Sequence, residues 1–131
     1  MADLFTADWM ASFMEKWNSQ PGLADALEKI DFNSIIAYGI DGEDEPRGVL
    51  TVENGKAVAA EGFNGQELSW DMRASEDHWK KWMKKPPGMM GLGIAYTSRK
   101  LKFKVGDYTA MIKDPRMAGP FIKSFTAMGS V

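Results

Sequence analysis

Apolar positions recur at helical spacing near the start of the chain, where Trp9, Met10, Phe13, Met14 and Trp17 fall at steps of one, three and four. Thr6 or Asp8 is placed to cap this helix. Pro21-Gly22 interrupts the pattern, and Leu23, Ala26, Leu27 and Ile30 continue it as a second short helix. The period then shortens to two. Ser34 to Ile40, Arg47 to Glu53, Lys56 to Phe63 and Glu67 to Ala74 read as strands, the last with Leu68, Trp70 and Met72 alternating with Ser69, Asp71 and Arg73. Between them stand Asp41-Gly42, Asn54-Gly55 and Asn64-Gly65, and the Asn-Gly pairs signal hairpins because both residues tolerate positive φ. The expected arrangement is a mainly antiparallel meander covered by the two helices.

The stretch from Ser75 to Asp107 changes character three times. Ser75 can cap a helix that has Glu76 and Asp77 at its start and Lys80, Lys81, Lys84 and Lys85 toward its end, a charge order that suits the helix dipole. Trp79, Trp82 and Met83 share one face of that helix. Pro86-Pro87 must stop it. An apolar run thinned by Gly88, Gly91 and Gly93 comes next, and then a strand with Leu101, Phe103 and Val105 on one face and Lys100, Lys102 and Lys104 on the other. Asp107 to Lys113 predicts a short helix, and Met117, Phe121, Phe125 and Met128 mark a last one. Pro120 fits that helix only in its first turn. With Gly119-Pro120 near its start and a chain end behind it, the helix is expected to act as a lid.

The order of these pieces resembles the sterol carrier protein type 2 family. Its members show an acidic-capped helix with a following Trp, a Gly- and Met-containing apolar segment, and a Gly-Lys-Leu-Lys strand closed by Gly-Asp. The matching residues here are Ser75-Glu76-Asp77-His78-Trp79 and Arg99-Lys100-Leu101-Lys102-Phe103-Lys104-Val105-Gly106-Asp107, with Arg99 standing where the family often has Gly. The match covers roughly the C-terminal half, and the N-terminal half agrees in element order. The resemblance implies an α+β fold, a five-stranded, largely antiparallel sheet covered by helices. It also implies a tunnel for fatty acyl chains, acyl-CoA or sterols between the sheet, the segment after Gly88 and the C-terminal helix. Taken with the apolar positions, the expected ligand-binding residues are Trp70, Met72, Trp82, Met83, Met89, Met90, Leu92, Ile94, Phe103, Met117, Phe121 and Phe125.

Composition narrows the reading. A chain of 131 residues, 44% hydrophobic and 26% charged, is expected to form a single domain over residues 1–131 with one core. A net charge of -2 argues against sequence-independent nucleic-acid binding, although the lysines are clustered enough to touch an anionic membrane surface transiently. The absence of cysteine removes disulfides and thiolate metal sites and is compatible with a reducing cytoplasm. No secretory signal pattern opens the chain, and Met-Gly-Ser-Val at its end is not a peroxisomal address. A cytoplasmic protein is expected.

Catalytic patterns are sparse. His78 is the only histidine, no Gly-x-Ser-x-Gly elbow exists, and Gly91-Leu92-Gly93 follows prolines rather than the strand that a dinucleotide fingerprint requires. Asp71, Arg73 and Glu67 read most simply as a solvated strand face. Ten methionines supply soft side chains that fill a core or adapt to a ligand. A long acyl chain at roughly 0.8 kcal/mol per methylene offers on the order of 10 kcal/mol, against about 8 kcal/mol for micromolar affinity, so an apolar tunnel suffices without catalysis. The expected function is non-catalytic binding and presentation of an apolar lipid, without a cofactor. The rivals are an enzyme or accessory subunit acting on a hydrophobic acid or its CoA ester through Asp71, Arg73 or His78, and a partner-binding module that uses the lysine strand.

Overall fold

A computed structural model describes residues 3–131. Thr6 caps α1 (Ala7–Ser19) by accepting from Trp9 N–H at 3.3 Å, and α2 (Ala24–Glu28) follows the Pro21-Gly22 break. The strands are β1 (Ser34–Ile40), β2 (Gly48–Glu53), β3 (Lys56–Gly62), β4 (Trp70–Ala74) and β5 (Lys102–Val105). Between β4 and β5 lie α3 (Glu76–Lys84) and α4 (Met89–Thr97), and α5 (Tyr108–Lys113) and α6 (Pro115–Gly129) close the chain. The sheet order is β3-β2-β1-β4-β5, antiparallel at every pairing except β1 with β4.

That parallel pair corrects the expected meander. Asn54-Gly55 does make a hairpin, with φ of 49° and 83°, so both residues use the left-handed region that a two-residue turn demands. A Cβ on Gly55 would strike the α2 backbone, and Trp17 Nε1–H donates to Gly55 C=O at 2.9 Å, which fixes the hairpin tip beneath the helices. Asn64-Gly65 makes no hairpin. β3 and β4 point the same way, so residues 63–69 carry the chain back along the sheet until Ser69 N–H bonds Ile35 C=O at 2.9 Å. Seven residues at about 3.3 Å each can reach about 23 Å, enough to run back the length of one strand across β2 and β1.

Alternation gives the sheet two different faces. Ile36, Tyr38, Leu50, Val52 and Met72 belong to the core shared with Trp9, Met10, Phe13 and Trp17 of α1 and with Trp79 of α3. The other face carries Asp71 and Arg73, which are buried rather than solvated. Arg73 donates to both Asp71 carboxylate oxygens, at 2.7 and 3.0 Å, and to Glu43 C=O at 2.7 Å. A Cβ on Gly39 would come within 2.8 Å of Arg73 Cδ and 2.9 Å of Pro46 Cα, so the guanidinium stem lies in a slot that only Gly39 leaves open beneath the β1–β2 loop.

α6 differs from expectation in two ways. Pro120 sits in the helix interior, beyond the first turn, and removes a hydrogen bond to the carbonyl of Arg116. Asp114 and Pro115 start the helix instead, with Asp114 accepting from Arg116 N–H at 3.0 Å. Its C-terminal half is core and not a lid: Phe125, Ala127 and Met128 are buried, and Phe125 packs on Trp79 and Trp82 at ring distances of 6.2 and 6.1 Å.

Candidate functional site: an apolar cavity beneath α5 and α6

A cavity of about 40 Å³ lies between the core face of the sheet and the last two helices. Ile36, Tyr38, Trp70 and Met72 form its floor, because the parallel register pairs Ile36 with Trp70 and Tyr38 with Met72 and so turns all four to the same face. Trp17, Leu27 and Phe32 form one wall, and Met111 from α5 with Met117, Pro120, Phe121 and Ser124 from α6 form the roof. None of these side chains is charged. On this scale a water needs about 10–15 Å³, so the cavity holds about three waters' worth of space and a long ligand must displace the roof.

The roof is partly open to solvent. Met117 and Phe121 are only half-buried, and the helix carries Gly119-Pro120 between them. Beside the cavity an aromatic cluster closes the β5 edge: Phe103 lies 5.9 Å from Trp70, 5.9 Å from Tyr96, 5.3 Å from Tyr108 and 6.1 Å from Phe121. Tyr96 stacks on Tyr108 at 4.0 Å, and burial followed by the neighbouring Tyr96 pushes the Tyr108 phenol above its ordinary pKa.

Two of the lining residues carry a hydroxyl. Ser124 Oγ–H donates to Phe121 C=O within α6, so only its lone pairs remain available. Tyr38 is 1% exposed, and burial raises its phenol well above the ordinary value. It therefore stays neutral.

Of the twelve residues expected to bind ligand, Trp70, Met72, Met117 and Phe121 line the cavity. Trp82, Leu92 and Phe125 are buried in the surrounding core, and Phe103 belongs to the aromatic cluster at its edge. Met83 lines a separate surface groove with Leu4, Trp9, Lys80, Lys84 and Met128. Met89, Met90 and Ile94 lie outside the cavity lining, exposed by 49, 81 and 58%. α4 is apolar nearly all the way round, and a helix that buries Leu92 and Ala95 on one side must show its remaining side chains to solvent.

Trp17, Leu27, Phe32, Ile36, Tyr38, Met111, Pro120 and Ser124 complete the lining, and the sequence pattern alone does not mark them as site residues. Strand alternation places Ile36 and Tyr38 on one face. Only the β1–β4 register shows that this is the face of Trp70 and Met72. The side chains that an enzyme reading would use do not converge here. Asp71 and Arg73 occupy the opposite sheet face and pair with each other, and His78 stacks on Trp82 at 5.7 Å.

Neither a protein-family model nor a curated protein matches the chain. Solved structures do. A crystal structure of sterol carrier protein 2 superposes with a TM-score of 0.76 at 19% identity, over 98% of this chain and 99% of that one. The solution structure of a conserved hypothetical protein from Thermus thermophilus, described as a candidate sterol carrier protein, gives 0.73 at 16% identity over 98% and 89%. The UbiJ-SCP2 ubiquinone synthesis protein gives 0.62 at 13% identity over 96% and 92%. The chain has the sterol carrier protein 2 fold.

Proposed function

We propose that this protein is a non-catalytic carrier that holds an apolar lipid under α5 and α6 and exchanges it at an anionic membrane surface. The observation that carries the reading is the cavity itself, uncharged, floored by the sheet and roofed by α5 and α6, where Met117 and Phe121 are half-exposed. Sterol carrier protein 2 supports it as a structural neighbour, and the ubiquinone synthesis protein supports a form of it in which the carrier presents its lipid to an enzyme. A fatty acyl chain, an acyl-CoA tail or a sterol-like body are the candidate cargoes, and the cytoplasmic face of a membrane is the expected place of exchange.

α4 is the proposed contact with that membrane. Its exposed Met89, Met90 and Ile94 are flanked by exposed Lys84 and Lys85 on one side and by Arg99 and Lys100 on the other. Residues 78–106 contain no Asp or Glu, in a chain whose net charge is -2. An apolar ridge rimmed by basic groups fits a bilayer with anionic headgroups, each basic contact contributing about 1 kcal/mol that fades with salt.

Native mass spectrometry of freshly purified protein tests the carrier reading. Bound lipid mass, or uptake of a fluorescent alkyl probe by delipidated protein, is expected. Protein that carries no lipid and takes up no probe refutes it. Flotation with vesicles should show binding to anionic but not zwitterionic lipid, lost as salt rises; salt-independent binding removes the membrane contact and leaves the cavity reading in place.

A further inference from the structure

We infer that Met89 and Met90 form an oxidation site on α4, at which hydrogen peroxide converts the two thioethers to sulfoxides and thereby releases the protein from an anionic membrane. The inference rests on the membrane contact proposed above and names its regulation.

The distribution of methionine through the fold carries it. Among the described residues Met10, Met72, Met111 and Met128 are buried, and Met14, Met83 and Met117 are half-buried. Met89 and Met90 are the two exposed ones, side by side in the first turn of α4. A Cβ on Gly88 or Gly93 would meet nothing within 4 Å, so the surroundings of this turn are uncrowded and open to a small oxidant in solution. With Ile94, the same two side chains make the apolar ridge that lies between Lys84 and Lys85 on one side and Arg99 and Lys100 on the other. The methionines most accessible to peroxide are thus the ones on which the contact depends.

The chemistry is a two-electron oxygen transfer. The thioether sulfur attacks one peroxide oxygen and keeps it, the O–O bond breaks, and the other oxygen leaves as water with both protons. The sulfoxide is uncharged but polar, and moving it from water into an acyl layer without a hydrogen-bond donor is unfavourable. The basic rim keeps its charge, so oxidation removes the apolar part of the attraction and leaves the electrostatic part. At Met10 or Met72 the same product would lie in the core and cost stability, whereas on the ridge it changes only what the surface can enter. The step is reversible: a methionine sulfoxide reductase supplied with a dithiol returns the thioether and yields a disulfide and water.

The test treats the full chain with hydrogen peroxide and follows each methionine by peptide mass mapping. Met89 and Met90 should be oxidised before any other. Flotation with phosphatidylglycerol-containing vesicles should then be about 10- to 100-fold weaker, the loss of two apolar side chains from the bilayer, with the melting temperature unchanged. M89L/M90L keeps the apolar volume without the sulfur and should bind vesicles like untreated wild type both before and after peroxide. Reductase with dithiol should restore binding to oxidised wild type. Earlier oxidation of Met14, Met83 or Met117, equal vesicle binding by oxidised and untreated wild type, an equal loss in peroxide-treated M89L/M90L, or binding that stays lost once mapping shows both thioethers restored each overturns the inference while leaving the membrane contact standing. Untreated wild type that does not float with these vesicles refutes the contact itself, and its regulation with it.

Discussion

α4 and α6 are both rich in Met and other apolar residues, yet the fold uses them in opposite ways. α6 has a stripe with a polar back, and the stripe is buried against α3, α1 and the cavity. α4 has no polar back, buries Leu92 and Ala95, and leaves Met89, Met90 and Ile94 in solvent. The contrast lies in the third dimension: Gly88 and Gly93 have open space where a Cβ would go, and so does Gly119 on the outer side of α6, whereas Gly129 at the end of α6 lies so close to Met83 backbone that any side chain would clash. Apolar content therefore does not decide which helix is core. The closeness of the surrounding backbone does, and an apolar helix without close neighbours is free to meet something outside the chain.

Deleting one large side chain from each helix separates the two most strongly. Phe125→Ala removes a fully buried ring from between Trp79 and Trp82 and should cost about 3–5 kcal/mol. Met90→Ala, at 81% exposure, should change stability by less than about 0.5 kcal/mol. Urea denaturation of both variants measures the difference; similar costs would mean that α4 is packed against the protein in solution.

Charge placed on the exposed ridge should act on the membrane and spare the fold. Two apolar side chains entering a bilayer contribute on the order of 3 kcal/mol when half to fully buried. M90D/I94D should therefore bind anionic vesicles about 100-fold more weakly, with its denaturation midpoint unchanged. Loss of stability equal to the loss of binding would place these residues in the core.

The local structure was largely legible in the sequence, and the reason is that it depends on near neighbours. Thr6, Ser75 and the Asn54-Gly55 turn do what their chemistry requires within three residues of themselves. The crossover at 63–69 was not legible, because Asn64-Gly65 satisfies the same local rule and the choice between hairpin and return was made by β1 offering β4 an open parallel edge. For the same reason alternation alone could not tell that Asp71 and Arg73 face a covered slot at Gly39 and not water. On α6 an apolar stripe marked Met117 and Phe121, and both line the cavity. α4, apolar all round, carried no periodic information about which side faces in.

Within α6 itself, Pro120 interrupts the helix. The roof residues of α6 straddle Pro120, with Met117 before it and Phe121 and Ser124 after it, and the helix lacks its hydrogen bond to Arg116 C=O at that point. Pro120→Ala restores the donor and should stabilise the ligand-free protein by about 1 kcal/mol, less than the full helix penalty of proline because the ring also packs on the cavity. A stiffer roof should slow release of the alkyl probe in stopped-flow displacement. Faster release with unchanged stability would show that the roof opens elsewhere.

The smallest effect is expected where α4 ends, and it separates stability from binding most cleanly. Arg99 has φ of 64°, and its N–H bonds Tyr96 C=O at 3.1 Å while Lys100 N–H bonds Ala95 C=O at 2.9 Å, the paired bonds of a left-handed helix stop. A residue with a Cβ thus holds this left-handed position, at a conformational cost of about 1 kcal/mol. The guanidinium has no ion-pair partner among the described residues and belongs to the basic rim of the exposed ridge. Arg99→Gly should raise stability by somewhat less than about 1 kcal/mol, because Gly also loses more entropy on folding. The same change should weaken anionic-vesicle binding by about 1 kcal/mol at low salt and by nothing measurable at high salt. Opposite signs in the two assays support a strained residue kept for its charge. A variant that is less stable and binds vesicles as well as wild type would show that Arg99 serves the fold alone.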